Sequence, residues 1–297
     1  MRSEGDRVDL YAIRDWDAAY ENGRNIPGGS EWPERWVAPA AAFREGARAR
    51  LGVAYGEGAR HCYDLFLPEE APRGLLMFVH GGYWMALDRS YWSHLAGGAV
   101  ARGWACAIPS YDLCPDVTIA EIIVQVGAAV DHAAGAVAGP IVLAGHSAGG
   151  HLVTSMACRD TPLGPAVRDR LAHVVSISGL HDLRPMLRTA RNATLGLDME
   201  SAEAASPALK RPLPGVPVTA WVGSAERAEF LRQTALIANI WQGLGAATRA
   251  VVEPDRHHFD VIDGLADPAS PLMRAALAPV AGWAERTKTC DAAPMTA

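Results

Sequence analysis

Short apolar runs alternate with amphipathic segments along most of the chain. Six runs are typical of strands buried on both faces: GLLMFVH, WACAIPSY, PIVLAGH, HVVSISG, PVTAWVG and TRAVVEP. Segments with helical spacing lie between them, among them SYWSHLAGGAVARG, IAEIIVQVGAAVDHAAGAV and EFLRQTALIANIWQGLG. Strands that alternate with helices predict an α/β fold, with a mostly parallel sheet that carries helices on both faces.

The pattern differs before the first of these runs. GVAYG and RHCYDLFLP are typical of two strands joined by the turn residues 56–58, which predicts an antiparallel pair at the start of a sheet of about eight strands. Further upstream, aromatic residues are interspersed with Arg and Glu, a pattern that favours short helices lying over a larger body. These aromatic residues are Trp16, Tyr20, Trp32, Trp36 and Phe43.

We expect three parts in one chain. Residues 1–50 form an N-terminal helical segment, 51–286 form the α/β domain, and 287–297 form a flexible tail. No internal repeat, charge run or low-complexity segment interrupts this pattern.

Composition narrows the class of protein. Apolar residues make up 49% and charged residues 20% of the chain, which is ordinary for a globular protein, and the net charge is −6. Because no basic stripe could follow a phosphate backbone, we expect no nucleic-acid partner. The N-terminus lacks the apolar core of a secretion signal, and no stretch of 18 uncharged apolar residues occurs, so we expect a cytoplasmic protein without membrane contact. Five cysteines without a CxxC pair indicate buried thiols in a reducing compartment.

A candidate nucleophile lies at the end of one buried run. GHSAG fits the pattern G-x-S-x-G, and it stands between a predicted strand and a predicted helix, as that motif requires. Gly145 and Gly149 leave room for a tight turn that holds Ser147 outward at the helix N-terminus. Alternatively, Ser147 only caps the helix that begins near Ala148.

A second motif follows another strand. In HGGYW, residues 80–84, a pair of glycines leaves backbone N–H groups unobstructed, so the loop can form half of an oxyanion hole. We expect the N–H groups of Gly82, Tyr83 and Ala148 to hold the oxyanion. A plain turn between strand and helix is the alternative.

An activated serine needs a histidine base, which in this order of motifs follows the last strand. Two histidines come there, His257 and His258 in VEPDRHHFDVIDGL. Position favours His258, because Phe259 and Ile262 can anchor the loop directly after it. His257 would then be a surface residue.

The acid that orients this histidine is expected in the loop after PVTAWVG. Glu226 lies three residues beyond Gly223 and is our candidate, since Glu229 is expected one turn into the next helix. Glu229 and Asp182 stay as alternatives. A glutamate in a first helical turn is also common for electrostatic reasons alone.

With these motifs, the chain resembles the α/β-hydrolases, and more narrowly the arylformamidase (kynurenine formamidase) branch with its bacterial esterase relatives. HGGYW matches the HGGxW signature of that branch, and YDLCP, SISGLHDLRP, EFLRQT and HHFDVI resemble its other segments over about residues 11–285. The resemblance implies an α/β-hydrolase fold and places the family histidine at His258. Members more often carry aspartate where Glu226 stands, which affects the loop geometry rather than the role.

The resemblance implies a serine hydrolase with an acyl-enzyme intermediate that needs no metal or organic cofactor. Its substrate would be a small amide or ester, either an N-formyl arylamine such as N-formylkynurenine or a small aryl ester. We expect the aromatic leaving group to lie against Gly81, Trp84 and Tyr111, with Tyr83, Trp92 and the N-terminal tryptophans as further wall candidates. A short-chain carboxylesterase and a non-catalytic binding protein on the same scaffold are the alternatives, and a homodimer is the default for a soluble enzyme.

Overall fold

The computed structural model describes residues 13–280, so the expected tail at 287–297 lies outside the described residues. One sheet contains eight strands, numbered in chain order: β1 Ala49–Ala54, β2 Cys62–Phe66, β3 Leu75–Val79, β4 Ala105–Pro109, β5 Ile141–His146, β6 Leu171–Ile177, β7 Val218–Gly223 and β8 Thr248–Glu253. The α-helices of the described part are α1 Trp16–Tyr20, α2 Trp32–Gly46, α3 Gly97–Ala101, α4 Ile119–Ala136, α5 Ala148–Met156, α6 Pro165–Arg168, α7 Asn192–Leu195, α8 Met199–Ala204, α9 Ala228–Gly243 and α10 Pro271–Leu277. Short 3-10 segments stand between them at Gly23–Asn25, Gly29–Glu31, Arg89–Tyr91, Ser93–Ala96, Arg184–Arg188, Pro207–Leu209 and Asp263–Leu265.

The strand order is β1-β2-β4-β3-β5-β6-β7-β8. β1 pairs antiparallel with β2, and β2 with β4, while every later pair is parallel. The predicted eight-stranded, mostly parallel sheet with an antiparallel start is therefore confirmed. In such a sheet the loops that follow parallel strands meet at one edge, and this is the edge where ligands bind.

The sheet separates two apolar cores. Leu75, Met77 and Val79 of β3 point into one core, whereas Leu76 and Phe78 point into the other. Side chains alternate across a strand, so a continuous apolar run such as GLLMFV is what a strand covered by helices on both faces requires.

α4 supplies much of the first core. Its N-terminus is held by a capping box between Thr118 and Glu121, and its buried face includes Ile122, Val126 and Val130. Among residues 13–280 this is the one helix long and apolar enough to cross a membrane. Here its apolar face packs within the domain, as expected for a core helix.

The N-terminal segment packs on the body through its aromatic residues. Trp36 of α2 lies 4.3 Å from Trp92 between ring centroids, and Phe43 lies 5.3 Å from Phe66. α2 has 15 residues, so it is longer than the short helices expected there. SYWSHLAGGAVARG, by contrast, does not form one helix as expected; two 3-10 turns and the five-residue α3 lie there.

The cysteines follow the expectation in part. Cys106, Cys114 and Cys158 are buried free thiols, while Cys62 at the start of β2 is partly exposed. Cys290 lies outside the described residues.

Candidate active site

Ser147 stands in a sharp turn between β5 and α5. Its backbone has φ 56° and ψ −117°, a strained conformation for a residue with a side chain, and its N–H donates to the Ile177 carbonyl at 2.8 Å. The side chain makes no capping hydrogen bond to α5. The helix-cap interpretation is therefore wrong, and the turn has the geometry of a nucleophile elbow.

The two glycines of the motif are required by close backbone contacts. A Cβ on Gly145 would lie 2.2 Å from the Gly149 carbonyl oxygen, and one on Gly149 would lie 2.0 Å from the Val79 carbonyl oxygen. Any larger residue would push β3, β5 and α5 apart. The pattern G-x-S-x-G thus reflects the packing that holds Ser147 in place.

His258 and Glu226 form a buried pair. The Nδ1 atom of His258 lies 2.7 Å from Oε2 of Glu226, and the side chains are 3% and 0% exposed. The other carboxylate oxygen accepts from the Ser178 hydroxyl at 2.5 Å and from the Gly223 N–H at 2.9 Å. Since three donors converge on one carboxylate, it is fixed in place and can hold the imidazole in the tautomer with its proton on Nδ1.

The histidine is also packed from both sides. The ring centroid of Phe230 lies 4.4 Å from that of His258, and the ring of His146 lies 4.6 Å away. His146 donates from Nε2 to the carbonyl of His258 at 2.8 Å, and burial holds its pKa well below the usual value, so this ring is neutral. Of the two predicted anchors, Ile262 is buried in the core and Phe259 is partly buried against it.

The alternative acids and the alternative base are engaged elsewhere. Glu229 accepts hydrogen bonds from Tyr20 and Arg232, and Asp182 pairs with Arg184. His257 accepts at Nδ1 from backbone N–H groups of its own turn and packs against Trp32 at 5.1 Å, so it is partly buried and not the surface residue expected. The structure brings only Glu226, of the three candidate acids, to His258.

The HGGYW loop lies directly against Ser147. A Cβ on Gly81 would lie 3.0 Å from Cβ of Ser147, and Gly82, Tyr83 and Trp84 all have positive φ, at 114°, 51° and 60°. The backbone N–H groups of Gly82, Tyr83 and Ala148 donate no hydrogen bond to residues 13–280. Unpaired N–H groups on successive residues of such a turn form a site for an anion.

His80 fixes the orientation of this loop. Its Nδ1–H donates to the Gly81 carbonyl at 2.7 Å, and its ring stacks on Tyr111 with centroids 4.4 Å apart. Burial lowers the pKa of His80 to about 4, so the ring is neutral at physiological pH. Because a peptide carbonyl and the following N–H point in opposite directions, this hydrogen bond also sets the direction of the Gly82 N–H.

Ser147 and His258 face the same cavity, which has a volume of about 290 Å³. Gly81 and Tyr83 line it as well. Its wall is mostly apolar and aromatic, formed by Pro33, Trp36, Ala86, Leu87, Trp92 and Phe259.

Trp84 and Tyr111 do not line this cavity, which corrects the expectation for those two residues. Both are fully buried, and each polar group is used within the core: Trp84 Nε1–H donates to His151 at 3.2 Å, and the Tyr111 hydroxyl donates to the His80 carbonyl at 2.8 Å. Trp36 and Trp92 line the cavity in their place.

The N-terminal segment closes the outer side of the cavity. Glu21, Asn22 and Gly23 line it, and the Tyr83 hydroxyl donates to the carbonyl of Tyr20. Arg191 lies on the same wall. Sequence reasoning missed Glu21 and Arg191, and also Ser178, whose hydroxyl donates to the Glu226 carboxylate. None of these residues belongs to a motif of fixed spacing.

Comparison with known proteins identifies the family of the fold. A family model described as the α/β hydrolase fold matches residues 76–260, which is more than half of the chain. A kynurenine formamidase from Drosophila melanogaster is 29% identical over 239 residues, covering 74% of this chain and 78% of that protein.

Solved structures show the same fold. A crystal structure from Silicibacter sp. TM1040, provisionally assigned as a thioesterase, is 50% identical with a TM-score of 0.85 and covers 88% of this chain and 98% of its own. Esterase B from Lactobacillus rhamnosis has a TM-score of 0.68 at 15% identity, over 88% of this chain and 96% of its own, a likeness of fold alone. The elbow, the sheet and the family model together show that the chain belongs to the α/β-hydrolase fold family.

Proposed function

We propose that this protein is a serine hydrolase that cleaves an N-formyl arylamine, as an arylformamidase does, through a formyl-enzyme intermediate on Ser147. The single observation that carries the proposal is the buried His258–Glu226 pair, whose histidine faces the same aromatic cavity as the strained serine. The name of the Drosophila relative, kynurenine formamidase, supports this choice of substrate.

The first half of the reaction forms the acyl-enzyme. His258 takes the proton of the Ser147 hydroxyl at Nε2, and the serine oxygen attacks the formyl carbon. The N–H groups of Gly82, Tyr83 and Ala148 receive the charge that develops on the carbonyl oxygen. Glu226 stabilises the imidazolium through Nδ1–H without accepting its proton. His258 then protonates the leaving amine as the C–N bond breaks.

The second half repeats these roles with water. His258 removes a proton from the water that attacks the formyl ester, and returns it to Ser147 as formate leaves. A formyl group needs almost no acyl pocket, so the cavity wall is available for the leaving arylamine. Trp36, Trp92 and Phe259 supply flat apolar contacts for such a ring.

A short-chain carboxylesterase is the second candidate. The same serine, histidine and N–H groups hydrolyse an ester, whose alkoxide or phenolate is a better leaving group than an amine. The Silicibacter structure, which is 50% identical and provisionally assigned as a thioesterase, supports ester cleavage as the second candidate.

Turnover of N-formylkynurenine against a p-nitrophenyl ester series of increasing acyl length tests the choice. The proposal predicts kcat/KM for N-formylkynurenine above that of the acetate, and a steep decline beyond acetyl. If only the esters react, the formamidase proposal is lost and the esterase remains. If neither class reacts, both candidate substrates are wrong.

We further propose that the reaction takes place in the cytoplasm on a free small molecule. The cysteines of residues 13–280 are free thiols, as is usual in a reducing compartment; they are Cys62, Cys106, Cys114 and Cys158. Fractionation of cells that express the chain tests this: it predicts activity in the cytosolic fraction, and activity retained in the membrane pellet would contradict it.

A further inference from the structure

An ion pair lies on the wall of the otherwise apolar cavity. Arg191 Nη2 lies 3.1 Å from Oε2 of Glu21, and the Arg191 guanidinium carbon lies 4.3 Å from the ring centroid of Tyr83. Both charged residues also line an adjoining outer cleft, together with Asp15, Asp17 and Arg24. The pair therefore stands where the aromatic cavity meets a polar cleft.

The guanidinium of Arg191 retains donors for a ligand. An arginine side chain has five N–H groups, and within residues 13–280 its side chain donates one hydrogen bond, from Nη2 to Glu21. One face of the guanidinium plane lies over Tyr83, which holds the plane in position. The second N–H of Nη2, together with an N–H of Nε or Nη1, can thus donate to a carboxylate without breaking the pair with Glu21.

Arg191 contacts a residue of the proposed oxyanion hole. The ring that Arg191 covers belongs to Tyr83, whose backbone N–H we assign to the oxyanion hole. Arg191 and Ser147 line the same cavity, so a ligand whose carbonyl is bound at Ser147 can extend towards Arg191. Elsewhere the wall is mostly aromatic and aliphatic, and Arg191 is the one Lys or Arg among the described residues that line this cavity.

We propose that Arg191 determines specificity by binding a carboxylate carried on the leaving group of the substrate. The inference rests on the proposed function. If the acyl group is formyl, it carries no side chain, so a charged group of the substrate lies on the arylamine. In an apolar wall, such a charge-assisted contact with a planar, pre-positioned guanidinium is stronger than one at an open surface. The substrate class is an aryl formamide or aryl ester with an anionic side chain.

Four probes separate the charge of the leaving group from the chemistry of the acyl bond. They are 3-(3-formamidophenyl)propanoate, 3-(3-acetoxyphenyl)propanoate and the primary carboxamide of each. Each carboxylate and its carboxamide differ in charge but have nearly the same size. Steady-state kcat and KM are measured for the wild type, Arg191→Met, Arg191→Lys and Arg188→Met. Arg188 is the matched control, since it lies three residues earlier, covers Trp16 at 5.6 Å and does not line the cavity.

The wild type is expected to prefer each carboxylate over its carboxamide. Arg191→Met should lower kcat/KM for the carboxylates by about 10- to 100-fold, mainly through KM, and for the carboxamides by less than about threefold. Arg191→Lys keeps the charge but loses the two parallel N–H donors of the guanidinium. Its kcat/KM for the carboxylates should lie between that of the wild type and that of Arg191→Met. Arg188→Met should leave all four values unchanged.

Two results overturn the inference. One is an equal fall on carboxylates and carboxamides in Arg191→Met, which would mean that Arg191 only holds Tyr83. The other is a wild type without preference for the carboxylates. Turnover of the esters but not of the formamides refutes the formamidase proposal alone, because the ester pair still tests Arg191.

Discussion

Replacing Glu226 by glutamine removes a charge and keeps nearly the same shape. The carboxylate is fully buried and accepts from His258 Nδ1 at 2.7 Å, from Ser178 at 2.5 Å and from the Gly223 N–H at 2.9 Å. In the variant, one amide oxygen can satisfy either Ser178 and Gly223 or His258, but not both sets. With the amide NH₂ facing His258, the ring must accept at Nδ1 and carry its proton on Nε2, where it cannot take the serine proton.

The expected loss in kcat is about 10³- to 10⁴-fold with little change in KM, since the equivalent Asp→Asn substitution in a serine protease costs about 10⁴-fold. This corresponds to about 4 to 5 kcal/mol of transition-state free energy. Glu226→Asp keeps the charge one methylene away and should lose only about 10- to 100-fold. Hydrolysis of p-nitrophenyl acetate, followed with the melting temperature of each variant, measures both effects.

Two matched controls define the refutation. Glu229→Gln and Asp182→Asn alter buried acids that pair with Arg232 and Arg184 rather than with His258. Both variants should have a lower melting temperature than the wild type and should keep most of its kcat. If either control loses more activity than Glu226→Gln while remaining folded, the assignment of the orienting acid is wrong.

The remaining predictions concern the oxyanion loop and the buried histidines. Gly82→Ala places a Cβ 2.3 Å from the Ala86 carbonyl oxygen at a φ of 114°, so kcat should fall at least about 100-fold with an unchanged circular dichroism spectrum; a retained kcat would show that the Gly82 N–H does not bind the oxyanion. Tyr83→Phe removes the hydroxyl that donates to the carbonyl of Tyr20, and should lower the free energy of unfolding by about 1 kcal/mol in urea titrations with a several-fold loss in kcat. Burial lowers the pKa of His80, His151 and His173 to about 4. As the pH falls below about 6.5, these histidines are protonated in the unfolded state but not in the folded state. Each histidine should therefore lower the free energy of unfolding by about 2 kcal/mol at about pH 5. Urea unfolding at about pH 7 and about pH 5 measures this loss, and equal stability at the two values would contradict the burial of these rings in neutral form.

The sheet and the elbow could be predicted because their constraints are local. A continuous apolar run specifies a strand covered on both faces, as in β3, and G-x-S-x-G specifies a turn in which Gly145 and Gly149 have no room for a Cβ. The order of serine, acid and histidine follows from the order of strands that deliver them to one edge of the sheet.

The walls of the cavity could not be predicted in the same way. Trp84 and Trp92 lie in the same segment and are equally buried, yet only Trp92 lines the cavity, because the positive φ at residues 82–84 turns the loop and directs Trp84 to His151. Glu21 and Arg191 are 170 residues apart and meet only in the folded chain. Contacts of this kind depend on tertiary packing, which leaves no periodic signal in the sequence.

The central claim is that Ser147 is the nucleophile. Intact-protein mass spectrometry after incubation with a fluorophosphonate, followed by peptide mapping, tests it most directly. We predict a single adduct on Ser147 in the wild type, no adduct in Ser147→Ala, and slow labelling in His258→Ala, because the serine there lacks its base. An adduct on another residue, or labelling of Ser147→Ala at the wild-type rate, would contradict the account.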